Sequence, residues 1–254
     1  MEFEITLLSV PLLVGAGFLA GFINTIAGGG SMLTLPAFMM LGLPADIANG
    51  TNRVGIFLQS VAGARGFHKK GKLAPATIVP TLIPSLLGAL LGSILASYLP
   101  VSWLKPALLV TMLTMAMIML INPSIVAPPP GTPTHTLKER PLAWVGLLLA
   151  GIYGGFVQAG VGFILIAALA GGLRYDLVRT NALKMAITAT LTLVALTVFV
   201  IRSQVLWIPG LIMAAGTVAG AMCSVQFAIA VPQSVLKWVL FVMVLLSCAG
   251  AYFS

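Results

Sequence analysis

Residues 17–52 read GFLAGFINTIAGGGSMLTLPAFMMLGLPADIANGTN, and residues 151–181 read GIYGGFVQAGVGFILIAALAGGLRYDLVRTN. With short gaps the two stretches match. Gly17 pairs with Gly151, Gly21-Phe22 with Gly155-Phe156, and Asn24 with Gln158. Ala27-Gly28-x-Gly30 pairs with Ala159-Gly160-x-Gly162, Asp46 with Asp176, and Thr51-Asn52 with Thr180-Asn181. Farther along, Gly88-x-x-x-Gly92 pairs with Gly216-x-x-x-Gly220, and Pro100-x-Ser102-x-Leu104-Lys105 with Pro232-x-Ser234-x-Leu236-Lys237. An apolar chain doubled in this way, with glycine-interrupted segments at matching places, has the pattern of a transporter built from two repeats.

Composition sets the solvent. The 254 residues are 59% hydrophobic and 7% charged, with a mean hydropathy of +1.11. No soluble chain of this length could clothe its surface from so few charges, so a lipid bilayer is the expected partner. The N-terminus, Met1-Glu2-Phe3-Glu4, lacks a positive n-region, and the first apolar run is expected to be retained. The net charge of +8 does not point to nucleic acid, because the basic residues sit in short loops between apolar runs. Cys223 and Cys248 lie inside apolar segments, where packing is their expected role.

The expected fold is all-α: a polytopic membrane protein of two repeats. Its parts are residues 1–122, a cytoplasmic proline-rich linker at 123–140 within the polar stretch NPSIVAPPPGTPTHTLKERP, and residues 141–254. Ten apolar segments are expected, at about 6–27, 31–43, 49–65, 73–98, 102–122, 141–159, 162–173, 178–201, 205–230 and 234–253. A full helical span needs about 20 residues. Segments 31–43 and 162–173 are too short, and each follows a glycine cluster, so each reads as a half-helix, re-entrant or broken against its predecessor.

Five segments per half would invert the second half relative to the first. If every segment crosses, Arg65, Lys69, Lys70, Lys72, Lys138, Arg140, Arg174, Arg179, Lys184 and Lys237 lie on one side, and Arg53, Lys105 and Arg202 on the other. That asymmetry suits a cytoplasmic first side and outward termini. A short segment that fails to cross leaves four per half and removes the inversion. Trp103, Trp144, Trp207 and Trp238 stand near segment starts, as interfacial anchors do. Pro80 and Pro84 are expected to bend their helix.

The glycines divide by task. Gly17/Gly21, Gly88/Gly92, Gly151/Gly155 and Gly216/Gly220 have the four-residue spacing of close helix packing. Gly28-Gly29-Gly30-Ser31 and Gly160-Val161-Gly162 instead join two apolar runs. A helix restarting there aims free N–H groups and a positive dipole end inward, and unwound backbone persists in a membrane only where protein or a cavity shelters it. Two such breaks converging near the midplane would make an anion site, and a plain tight turn is the competing reading.

The polar neighbours suit an anion. Asn24 and Gln158 precede the breaks and read as ligand or interhelix donors; Thr51-Asn52 and Thr180-Asn181 read as ligand donors or helix caps. Arg53 and Lys184 either draw an anion from a vestibule or snorkel to the interface. Asp46 and Asp176 are expected to cap the helices that follow them.

AGGGSMLTLPAFMMLGLPADIANGTN, with its weaker copy ending in Thr180-Asn181, resembles the TauE/SafE family of sulfite and organosulfonate exporters along nearly the whole chain. The resemblance implies an inner-membrane permease that moves small sulfur-containing anions, usually outward. Val161 stands where the first copy has Gly29, and Phe163 where it has Ser31, so the two half-sites are unequal.

Other functions fit less well. His68 and His135 fall in polar loops, away from Ser31, so a buried Ser–His dyad is not expected and the chain does not read as an enzyme. GGGS lacks the lysine of a phosphate-binding loop. No His, Cys or carboxylate cluster lies in the apolar runs, so no metal or other cofactor is expected. An anion channel lined by the same broken helices is the remaining alternative, and a homodimer is compatible with the sequence.

Overall fold

The computed structural model describes residues 9–26, 28–73, 75–121 and 133–227, and the expected segment at 234–253 lies outside them. Among the described residues the regular structure is all helix, with no strand: α1 (Ser9–Ile26), α2 (Ser31–Met40), α3 (Ala45–Lys69), α4 (Pro75–Tyr98), α5 (Val101–Ile121), α6 (Pro141–Phe156), α7 (Val161–Ile166), α8 (Leu177–Ile201) and α9 (Trp207–Phe227). A π-helical turn, Ala167–Gly172, continues α7. By length and composition, Ser9–Ile26, Ile78–Tyr98, Val178–Ile201 and Trp207–Val225 can cross a bilayer. Helix α3 has 25 residues, about 36 Å of rise, but its polar residues Asn49, Asn52, Arg53, Gln59 and Ser60 are all buried.

The four-residue glycine pairs set the closest contacts. Helix α1 runs parallel to α9, and a Cβ on Gly21 would come within 2.0 Å of the Thr217 carbonyl oxygen. From the other side, one on Gly220 would come within 2.0 Å of the Phe18 oxygen. The pair α4 and α6 repeats the arrangement, with Gly92 against Ile152 and Gly151 against Ser85. In lipid, where apolar burial drives no association between helices, such backbone approach supplies the van der Waals contact that does. Both pairs join the N-terminal part of the chain to the C-terminal part.

Loop contacts define two faces. On one, Gln204 Nε2 donates to Asp46 Oδ2 (3.3 Å) and Ser97 O (3.2 Å), gathering the turns after α2, α4 and α8. On the other, Lys70 Nζ donates to Val225 O (3.0 Å) and the His135 N–H donates to Leu173 O (2.9 Å). Helix α1 therefore starts on the first face and α2 returns to it; α6 and α7 do the same on the second face. Neither short helix crosses. Counted as a pair that returns to its own face, each hairpin takes two segments from the count of ten rather than one. Three helices that run from one face to the other, α3, α4 and α5, lie between the first hairpin and the segment at 133–140. Three is odd, so the second hairpin opens from the opposite face.

Helix ends also differ from expectation. Helix α3 begins at Ala45 behind Pro44 and α8 at Leu177 behind Asp176, so Thr51 and Thr180 lie inside helices and cap neither. Asp176 does cap α8, accepting from the Arg179 N–H (2.9 Å). Asp46 sits within the first turn of α3 and binds Gln204 instead. Helix α4 continues through Pro80 and Pro84. Trp103, Trp144 and Trp207 are exposed in the first turns of α5, α6 and α9, and Trp238 lies outside the described residues.

Candidate functional site

The two glycine breaks meet. A Cβ on Gly28 would lie 2.6 Å from the Gly162 Cα, and one on Gly162 would lie 2.3 Å from the Gly28 Cα. Only bare backbone fits between them. Gly28 has φ +95° and Gly160 +80°, the left-handed region that reverses each chain out of its helix. Gln158 shares that region at φ +67° without being glycine, a strained conformation that its surroundings must hold.

Arg53 does much of the holding. Its Nη1 donates to the Gln158 Oε1 and to the Gly154 carbonyl. Its Nη2 donates to Gly155 O (2.8 Å), Phe156 O (3.3 Å) and Asn49 Oδ1 (3.1 Å). Asn49 Nδ2 adds a bond to Phe156 O (2.8 Å). The last carbonyls of a helix have no partner within it and carry its negative dipole end. The guanidinium from α3 thus caps the broken end of α6, with the Phe199 ring 5.2 Å from its Cζ. Gln158 Nε2 completes the brace on Thr192 Oγ1 (2.9 Å), and Tyr153 Oη donates to Ala159 O (2.6 Å).

Lys184 does the converse. From α8 its Nζ donates to the Asn24 carbonyl (3.0 Å), the Thr25 carbonyl (3.3 Å) and Asn181 Oδ1 (2.8 Å). It caps the end of α1, and it takes the backbone of Asn24 rather than its amide. Arg53 and Lys184 are 0% and 1% exposed, so neither snorkels to an interface.

Among the described residues, neither cation has a carboxylate partner. Among the described residues the one ion pair is His135 with Glu139, 3.8 Å apart and outside the helices. Hydrogen bonds from the Thr136 N–H and hydroxyl hold the Glu139 carboxyl below its usual range. Two helix dipole ends offset part of the buried charge, but a buried ion normally has a full countercharge. Donor capacity is left as well: Arg53 Nε and Asn52 Nδ2 are buried without a partner, although Asn52 Oδ1 accepts from Thr34 Oγ1 (2.6 Å).

The remaining expected site residues are placed as follows. Ser31 opens α2 and is buried, and the Gly29 and Gly30 carbonyls accept the first bonds of that helix, from Met32 and Leu33 (3.0 Å each). Gly30 packs on Ala20 and Asn24. Thr51 Oγ1 turns away, accepting from the Leu206 N–H (3.0 Å) in the α8–α9 turn, and Thr180 Oγ1 donates to Tyr175 O (3.2 Å). Sequence reading missed Thr34, Asn49, Gln59, Ser60 and Thr192. Their common signal is a polar side chain at helical spacing: Asn52 and Arg53 lie three and four residues beyond Asn49, and Ser60 seven beyond Arg53, along α3.

Similarity to known proteins extends over most of the chain. The family described as "Sulfite exporter TauE/SafE" matches residues 13–251. A "Probable membrane transporter protein" of Haemophilus influenzae is 28% identical over 226 residues, covering 87% of this chain and 85% of that one. A Sinorhizobium relative, "Probable membrane transporter protein ORF9", is 27% identical with 87% and 84% covered. The Escherichia coli K12 "Probable membrane transporter protein YfcA" is 24% identical with 89% and 85% covered.

Proposed function

The chain belongs to the TauE/SafE sulfite exporter family, and from that premise we propose that it carries small sulfur-containing oxyanions, sulfite or an organosulfonate, outward by alternating access. The carrying observation is the pair of buried cations. One comes from α3 and one from α8, each grips the broken helix of the other part of the chain, and neither faces a carboxylate among the described residues. An anion supplies the charge that this arrangement lacks. The spare N–H groups of Asn52 and Arg53 are donors for its oxygens.

The two parts, residues 1–122 and 141–254, act as inverted repeats in this reading. The exchanged glycine contacts of α1 with α9 and of α4 with α6 support that symmetry. The face carrying Arg65, Lys69, Lys70, Lys72, Lys138, Arg140, Arg174 and Arg179 is cytoplasmic, in a bacterial-type inner membrane. Full burial of both cations favours a carrier in a closed state over an open anion channel, whose lining would be wet. The repeats rock about the contact of Gly28 with Gly162. With a negative cell interior, one charge gains about 2.3 kcal/mol at 100 mV, roughly a fifty-fold gradient, so export needs no coupled proton.

Flux from proteoliposomes loaded with sulfite, sulfoacetate, sulfate or a carboxylate tests the proposal, with wild type set against Asn24→Ala and Asn52→Ala. Saturable, anion-selective flux that the folded variants lose is the expected result. Wild-type vesicles that retain every anion would end the proposal.

A further inference from the structure

Five buried polar atoms without a partner lie along one part of α3: Asn52 Nδ2, Arg53 Nε, Gln59 Nε2, Gln59 Oε1 and Ser60 Oγ. The other such atoms among the described residues, on Asp46, His135, Arg179 and Gln204, sit toward the two faces of the molecule. Gln59 follows Asn52 by seven residues and Ser60 follows Arg53 by seven. Seven residues are close to two whole turns, so the second dyad repeats the first on the same side of the helix, about 10 Å deeper. Both residues are 0% exposed. A neutral amide and hydroxyl buried with nothing to bond are costly in any protein and costlier in lipid, and a visiting ligand would relieve that cost.

Their depth suits that ligand. Arg53 lies eight residues into α3 from the first face, and Lys184 lies seven residues into α8 from the second, leaving about 15 Å between them along the bundle. Gly63, four residues beyond Gln59, packs on Met185, the neighbour of Lys184. Gln59 and Ser60 therefore stand between the two cations. An anion cannot pass from one to the other across that gap without losing all of its hydrogen bonds. A third cation midway would hold it too tightly to release, whereas neutral donors bind weakly enough to let it leave.

Resting on the transport reading above, we propose that Gln59 and Ser60 form an uncharged midway station for the transported oxyanion, between Arg53 and Lys184. The test is sulfite flux in proteoliposomes, with the melting temperature of each purified variant. Gln59→Leu removes both orphan amide atoms at nearly constant volume. It should cut the maximal rate about ten-fold or more while leaving the half-saturating concentration within roughly three-fold. Because it also removes an unsatisfied buried group, it should raise the melting temperature by about 2–4 °C. A merely structural Gln59 would lower rate and melting temperature together, and that outcome overturns the station. Ser60→Ala, small enough to fold in any case, should slow flux about three-fold or more without thermal loss. Wild-type flux that both variants preserve overturns the station and leaves the transporter standing. A wild type that moves no anion removes the transport reading, and the station falls with it.

Discussion

Arg53 and Lys184 hold equivalent ends of the two hairpins by different chemistry. Arg53 spreads a planar fork over three carbonyls and two side chains, lies against Phe199, and still has Nε to spare. Lys184 has three donors, and all three are taken. The ends they hold differ too. Helix α1 runs on to Ile26 before breaking, whereas α6 stops at Phe156 and leaves Gln158 in a left-handed conformation that needs bracing. The more disturbed break has the more elaborate clamp. Arg53 can thus brace a helix end and keep a donor free, while Lys184 must give up a bond before it binds anything new.

The largest effect should come from Arg53→Met. It strips the end of α6 and Gln158 of their donors, should abolish measurable sulfite flux, and should destabilise the fold by about 3–5 kcal/mol in a denaturation assay. Arg53→Lys should not rescue it, because an ammonium cannot reproduce the fork. Lys184→Met comes next, with flux down about ten- to hundred-fold and a loss of about 1–3 kcal/mol as the Asn24 and Thr25 carbonyls lose their donor. If the two losses prove equal, the contrast between clamp and saturated cap is broken.

Gly28→Ala and Gly162→Ala sharpen the comparison where the two hairpins touch. Each adds a methyl at the same backbone contact, so each should cost about 1–3 kcal/mol, and the double variant should cost clearly less than their sum. Additive losses would mean that the breaks do not share a contact. The smallest effect belongs to Glu139, outside the helices. Its depressed pKa means that its carboxylate favours the native turn above the unfolded carboxyl pKa, and that this support fades as pH falls through the folded one. Glu139→Gln should remove that acid response of the turn, read by amide exchange of Thr136, and leave sulfite flux unchanged.

The hairpins were legible because glycine clusters cut apolar runs too short to span, and α1, α4, α6, α8 and α9 follow the apolar pattern to within a few residues. The start of α3 was less legible. Asn49, Gly50, Thr51 and Asn52 look like cap and turn residues, yet contacts with Gln204, Leu206 and Thr34 hold them inside a helix. The carbonyls that Arg53 caps lie more than a hundred residues along the chain, and local spacing carries no trace of them. Gln59 and Ser60 were missed for a simpler reason: one amide and one hydroxyl look ordinary until burial leaves them without partners.

The exchanged caps also bear on how the chain is made. Arg53 grips carbonyls 101 to 103 positions later, and Lys184 grips ones 159 and 160 positions earlier. At about 5–20 residues per second, Arg53 emerges from the ribosome roughly 5–20 s before its acceptors exist. Throughout that interval the nascent first part holds a naked guanidinium and an uncapped helix end. It must either be sheltered by the insertion machinery or stay near water until the second hairpin arrives to close both together.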